Sequence, residues 1–165
     1  MMELKRLTTE YVDFEDRIRL TGEASAGERV VLWLPQRLLQ RMLPVLLGWL
    51  EPQAGQAPHT EVLQGFAQQA ARAELPLQAP VTAEAGSAGW LVHSVDITQT
   101  PQAVRLTFCD AAGRAATVTL ATKPLRQWLN IVHDAYSKAE WPQGVWPEWV
   151  REGAASNGQS DVVLH

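Results

Sequence analysis

This chain of 165 residues has one cysteine, Cys109. A single thiol excludes an internal disulfide and any cysteine-rich zinc site, and it suits a reducing, cytoplasmic compartment. Positive charge is not in surplus: the formal net charge is −4, which leaves no electrostatic footprint for nucleic acid. No long apolar run is present. The strongest, Leu38–Leu50, contains Arg41, Pro44 and Gly48 and is too short and polar to span a bilayer. The first fifteen residues alternate charged and apolar types, so no signal peptide and no membrane association are expected. A Gly-rich phosphate loop and a Walker-type lysine are also missing.

What the chain does have is a pattern written twice. Residues 18–34 read IRLTGEASAGERVVLWL and residues 104–120 read VRLTFCDAAGRAATVTL, with six of seventeen positions identical at an offset of 86. A helix-like run follows each copy, PQRLLQRMLPVLLGWL and KPLRQWLNIVHDAY. Paired strand–turn–strand–helix units bury their apolar faces against each other.

The periodicity predicts strands over Leu4–Val12, Asp16–Thr21, Arg29–Leu34, Gly89–Ile97, Ala103–Cys109 and Ala115–Ala121, with a short edge strand near Gln78–Ala83. Pro35 opens the first helix, where Leu39, Met42, Leu43, Leu46 and Leu50 form one apolar stripe and Leu38, Val45 and Trp49 a second, so this helix requires cover on two sides. A second helix runs from Thr60 to about Ala73, with Val62, Leu63, Phe66 and Ala70 on one face. Thr122 or Lys123 caps the last helix, striped by Leu125, Trp128, Leu129, Val132 and Tyr136. The expected class is α+β: an antiparallel β-sandwich or barrel of six to seven strands, with a helical pair inserted between two strand–helix units and a C-terminal helix. A single domain spans 1–141, followed by a tryptophan- and proline-rich segment and a disordered tail over 142–165.

This element order resembles the head domain shared by centriolar spindle-assembly proteins and DNA end-joining scaffold proteins. The stretch GERVVLWLPQRLLQRMLPVLLGWL is similar to that family's strand leading into its helical pair, and residues 104–137 to its closing hairpin and helix. The likeness covers about residues 4–140 and carries no signature motif. It implies a small antiparallel sandwich that assembles with other copies. In that family the last helix continues into a dimerising coiled coil. Here Pro142 ends the helix and no heptad follows, so any assembly must use the head surface.

Chemistry-bearing residues are sparse. Cys109 is the one thiol, with His93 and His133 as possible bases, but no Gly-framed elbow surrounds it. The four histidines, His59, His93, His133 and His165, are scattered, so neither a metal nor a cofactor is expected. The acidic cluster Glu10, Asp13, Glu15 and Asp16 reads as a solvated strand end. The tryptophans carry the stronger signal. Trp141, Trp146 and Trp149 lie within ten residues beside Pro142 and Pro147, either covering an edge of their own domain or reaching a partner.

Two functional readings follow. The first is a non-enzymatic cytoplasmic assembly or protein-binding module, homodimeric or holding a protein partner through Leu38, Val45, Trp49, Trp141, Trp146 and Trp149. The second is a small-molecule binder or enzyme with a pocket near Trp90, His93 and Cys109.

Overall fold

A computed structural model describes residues 1–52, 60–84 and 87–152. Strands β1 (Met2–Val12), β2 (Arg17–Ala24) and β3 (Arg29–Leu34) lead into α1 (Gln36–Leu50) and then α2 (Thr60–Ala73). Strands β4 (Trp90–Leu91), β5 (Ser94–Gln99), β6 (Ala103–Cys109) and β7 (Ala115–Ala121) lead into α3 (Thr122–Ala139). A final helical turn covers 148–152.

The expected sandwich is instead one curled, mixed sheet of seven strands in the order β4-β3-β2-β1-β7-β6-β5. Two parallel pairings make the difference: β1 lies beside β7 through Met2 and Glu3, and β3 beside β4 through Leu32 and Trp33. Those ladders join what sequence alone presents as two antiparallel sets. The curl has a local cause. β4 and β5 sit at opposite edges of the sheet, yet only Val92 and His93 separate them in the chain. Val92 N–H donates to the Trp33 carbonyl (2.9 Å) and His93 N–H to the Cys109 carbonyl (2.7 Å). Two residues span at most about 7 Å, so the two edges are drawn together there. The strand expected over Gly89–Ile97 is broken at this point.

Pairing registers of the two strand–helix units coincide at the 86-residue offset. Leu20 faces Leu32 in one hairpin, and Leu106 faces Val118 in the other. Gly27 and Gly113 occupy the same place in the two turns with φ of +90° and +93°, a region glycine enters without steric penalty. Each helix then begins directly after its hairpin, α1 at Gln36 and α3 at Thr122. On the inner faces Leu39, Leu43, Leu46 and Leu50 match Leu125, Leu129, Val132 and Tyr136, and all eight are fully buried. The start of α3 lacks the expected cap from Thr122 or Lys123: Ala121 is the N-cap and makes no side-chain hydrogen bond.

No strand forms near Gln78–Ala83; Pro76 and Pro80 lack the N–H a ladder needs. The tryptophan segment folds back on the domain: Trp141, Trp146, Trp149 and Val150 are all buried, so the packed unit extends past residue 141 to 152. Of the segment and disordered tail expected over 142–165, residues 153–165 lie outside the described residues.

Candidate functional site

Helix α2 packs with the polarity opposite to that expected from its sequence. It buries Gln64, Gln68 and Ala71, while Val62 (53% exposed), Leu63 and Phe66 (63% exposed) face water. The reason lies on α3, where Arg126 is buried. A guanidinium in the interior needs hydrogen-bond acceptors. Its Nη1 and Nη2 donate to Gln68 Oε1 (3.1 Å) and Gln64 Oε1 (2.7 Å). The Trp149 ring stacks 5.7 Å from its Cζ. Gln68 Nε2 donates in turn to Asn130 Oδ1 and the Arg126 carbonyl, and Gln127 Nε2 to the Ala71 carbonyl. Burial pushes the Arg126 pKa down to about 10, which leaves the group charged at neutral pH. The hydrophilic side of α2 is therefore committed inward, and the apolar side is left outside.

Beyond α2, the C-terminal segment covers the rest of α3. Trp146 meets His133 and Tyr136 edge-on at 5.1 and 5.3 Å, and Trp141 meets Tyr136 at 5.1 Å. Trp141 Nε1–H donates to Asp16 Oδ1 (3.1 Å), which also accepts from Tyr11 O–H (2.8 Å); that Asp16 bond, with its charge, raises the Tyr11 pKa to about 12. Asp16 thus has a structural duty, as does Glu10, which pairs with Arg19. His133 is buried and bonded through Nε2 to Gln143 Oε1 (2.9 Å), with Nδ1 unpartnered. Burial lowers its pKa below the ordinary imidazole value, and Arg72 and Arg151 act in the same direction, against the Gln143 bond and Asp134.

Two grooves lie at equivalent places, each between the helix of one unit and the first strand of the other. One runs between α1 and β5, a cavity of about 460 Å3 lined by Leu38, Arg41, Met42, Val45, His93, Ser94, Val95 and Ile97. The other runs between α3 and β1, where Pro124, Gln127, Trp128 and Ile131 stand 86 residues on from the four α1 residues. The strand walls correspond with a two-residue slip: Val95 faces Phe108 and Ser94 faces Cys109 as Leu7 faces Gly22 and Arg6 faces Glu23, the facing residues being 86 apart but the wall residues 88. The second groove, about 390 Å3, is edged by Leu75, Pro76 and Gln78 of the chain's own segment, all three exposed. Val81 N–H donates to Thr8 Oγ1 (2.7 Å), Arg6 Nη2 donates to the Ala79 carbonyl (2.6 Å), and Val81 is buried. The first groove holds no segment of the described chain.

The residues singled out from sequence divide accordingly. Leu38, Trp49, Trp141, Trp146 and Trp149 are buried in the domain's own core, which removes them as free contact surface; only Val45, 40% exposed, stays open. Trp49 Nε1–H donates to the Thr100 carbonyl (3.0 Å), which explains the second stripe of α1 as cover for the β5–β6 turn. Trp90, His93 and Cys109 do not converge on one pocket. Trp90 lines a cavity with Met1, Met2 and Arg114, and His93 lines the α1–β5 groove. Cys109 Sγ contacts the Thr107 carbonyl at 3.9 Å, and His93 meets Cys109 through its backbone N–H, which donates to the Cys109 carbonyl (2.7 Å). Among the described residues no group of three or more metal-ligating side chains exists, and no helix is long and apolar enough to cross a membrane. Sequence reasoning missed Gln64, Gln68 and Arg126 as a buried network. Their helical spacing was visible, but apolar neighbours masked it.

Fold and surface together define an α+β protein with one curled mixed sheet, an empty helix–strand groove and an outward apolar helix. No protein-family model, curated protein or solved structure matches the chain.

Proposed function

We propose that this protein is a non-enzymatic cytoplasmic assembly module that works as a homodimer, built from a repeated strand–helix unit and similar in element order to the spindle-assembly and end-joining head domains. One observation carries this reading: α2 presents Val62, Leu63 and Phe66 to water. Contiguous exposed apolar surface of this kind marks an interaction site. A second copy is the occupant that fits. The bulky residues, Val62 and Phe66, stand in the first half of α2, and the small ones, Ala70 and Ala73, in the second half. An antiparallel two-fold contact sets Phe66 of each copy over Ala70 of the other and Val62 over Ala73, which is self-complementary. One helix face is less than the roughly 800 Å2 per partner of a standard interface, so micromolar affinity is expected.

Light scattering and sedimentation at high micromolar concentration test it. The wild type runs as a dimer, and Phe66→Glu, at an exposed site, runs as a folded monomer. A monomeric wild type, or a variant of unchanged size, overturns the homodimer. The net charge of −4 argues against a nucleic-acid partner. The alternative of a small-molecule pocket or enzyme draws no support from Trp90 and His93, which line different cavities, or from Cys109, which lines neither of the two.

A further inference from the structure

One titratable group is enclosed where the C-terminal segment lies on α3. Residues 141–152 run over that helix as a strap, with Trp141, Trp146, Trp149 and Val150 buried. Under it sits His133, 5% exposed. Its ring meets Trp146 edge-on at 5.1 Å, and Nε2 is bonded to Gln143 Oε1 at 2.9 Å, so the strap supplies both contacts. We propose that His133 is an acid-sensitive latch: protonation of its imidazole favours opening of the strap away from α3, ahead of any unfolding of the sheet. This device goes beyond the reading of the protein as a homodimer and does not use the apolar face of α2.

The strap is built to lift. Beyond Trp141 its backbone hydrogen bonds are internal: Trp146 N–H donates to the Gln143 carbonyl, and Val150 and Arg151 N–H to the Pro147 carbonyl. Among the described residues, the one hydrogen bond from 143–152 to the rest of the chain is that between Gln143 and His133. No ladder has to break for this stretch to leave as a unit. The ring is also a poor place for a charge. Gln143 Nε2 donates to the Trp141 carbonyl (3.4 Å), which turns Oε1 toward the imidazole. Nε2 therefore carries the proton of the neutral ring and Nδ1 the lone pair. Nδ1 is buried without a partner. A second proton puts an N–H with no acceptor there, together with a charge shut off from water, and both are costly. Burial holds the His133 pKa below the ordinary imidazole value, against the Gln143 bond and Asp134 of α3. Both carboxylate oxygens of Asp134 already accept from Arg72 of α2 (3.2 Å each), and Arg72 and Arg151 of the strap repel a cation. Tyr136, whose pKa burial raises to about 12, stays neutral beside them. Opening returns the imidazole to water and removes the penalty.

Hydrogen exchange of the full-length protein, read by mass spectrometry at pH 7.5 and pH 5.0 and corrected for intrinsic rates, tests the latch. Peptides covering 142–152 should exchange through an opening more frequent than that of β6 and β7. The opening constant should rise roughly threefold or more at the lower pH, a tenfold rise corresponding to about one unit of pKa depression. In His133→Gln, which keeps a side-chain donor for Gln143 and has no titratable ring, the rise should vanish. Arg151→Gln, at an exposed position, removes a repelling cation and should reduce it. Phe66→Glu should respond as the wild type does, so failure of the homodimer leaves this result intact. Three results overturn the proposal: exchange over 142–152 no faster than in β6 and β7 at either pH, an opening constant indifferent to pH, or the same rise in His133→Gln. Should His133→Gln not fold, the wild type decides through the imidazole titration followed by NMR. An opening midpoint that does not track the His133 midpoint overturns the latch as well.

Discussion

Helices α1 and α3 occupy matching positions in the two units, yet their outer faces have opposite fates. On α1, Arg41, Pro44, Val45 and Gly48 are exposed. On α3, the residues 86 positions later are Gln127, Asn130, Ile131 and Asp134, and each is buried or half-buried. Among the described residues, α2 and the tryptophan segment pack chiefly on α3 of the second unit, whereas the stretch 79–82 bonds to Arg6, Thr8 and Arg29 of the first. The first unit keeps a bare helix and an empty groove. Inner faces build the common scaffold, and the difference between outer faces separates structural surface from binding surface.

That contrast predicts an unequal response to substitution. The largest effect belongs to Trp146→Ala, which removes a fully enclosed ring between His133 and Tyr136 and should cost about 3–5 kcal/mol in chemical denaturation. Val45→Ala on the bare helix should stay within about 0.5 kcal/mol. Similar costs at the two positions would dissolve the distinction. Next comes Arg126→Ala, which strands the Gln64 and Gln68 amide oxygens in the interior and should cost about 2–4 kcal/mol. Its counterpart on α1, Gln40→Ala, should be near neutral; a harmless Arg126→Ala would mean that α2 is not held by this network.

The smallest effect is electrostatic. Burial holds the His133 pKa below its unfolded value near 6.5. A base with a depressed folded pKa binds fewer protons in the folded state, so stability is lost as pH falls below about 6.5 and the loss levels off below the folded pKa. The melting temperature should therefore drop less between pH 7.5 and pH 5 in His133→Gln than in the wild type. Leu47, at the matching position of α1, has no such proton to lose. Parallel melting curves for wild type and variant would show His133 to be solvated.

Several elements were legible to the residue. The strands Arg29–Leu34, Ala103–Cys109 and Ala115–Ala121 and the helix Thr60–Ala73 follow directly from alternation, turn glycines and helical spacing. The candidate site was much less legible. Val62, Leu63 and Phe66 read as an inward face because apolar stripes usually are, and Trp49 and Trp146 read as contact residues because tryptophan is enriched at interfaces. Both rules describe averages over folds. Here a buried arginine on one helix reversed the orientation of another.

By itself the sequence determined the element order, the two strand–turn–strand–helix units and the apolar inner faces of α1 and α3. These depend on periodicities set by neighbours a few residues apart. Only tertiary structure decided that β1 pairs with β7 and β3 with β4 to make one curled sheet. It also decided that Arg126 turns the polar face of α2 inward and leaves its apolar face outside. Periodicity states that a face must be covered; which face of which element covers it depends on contacts across the whole chain.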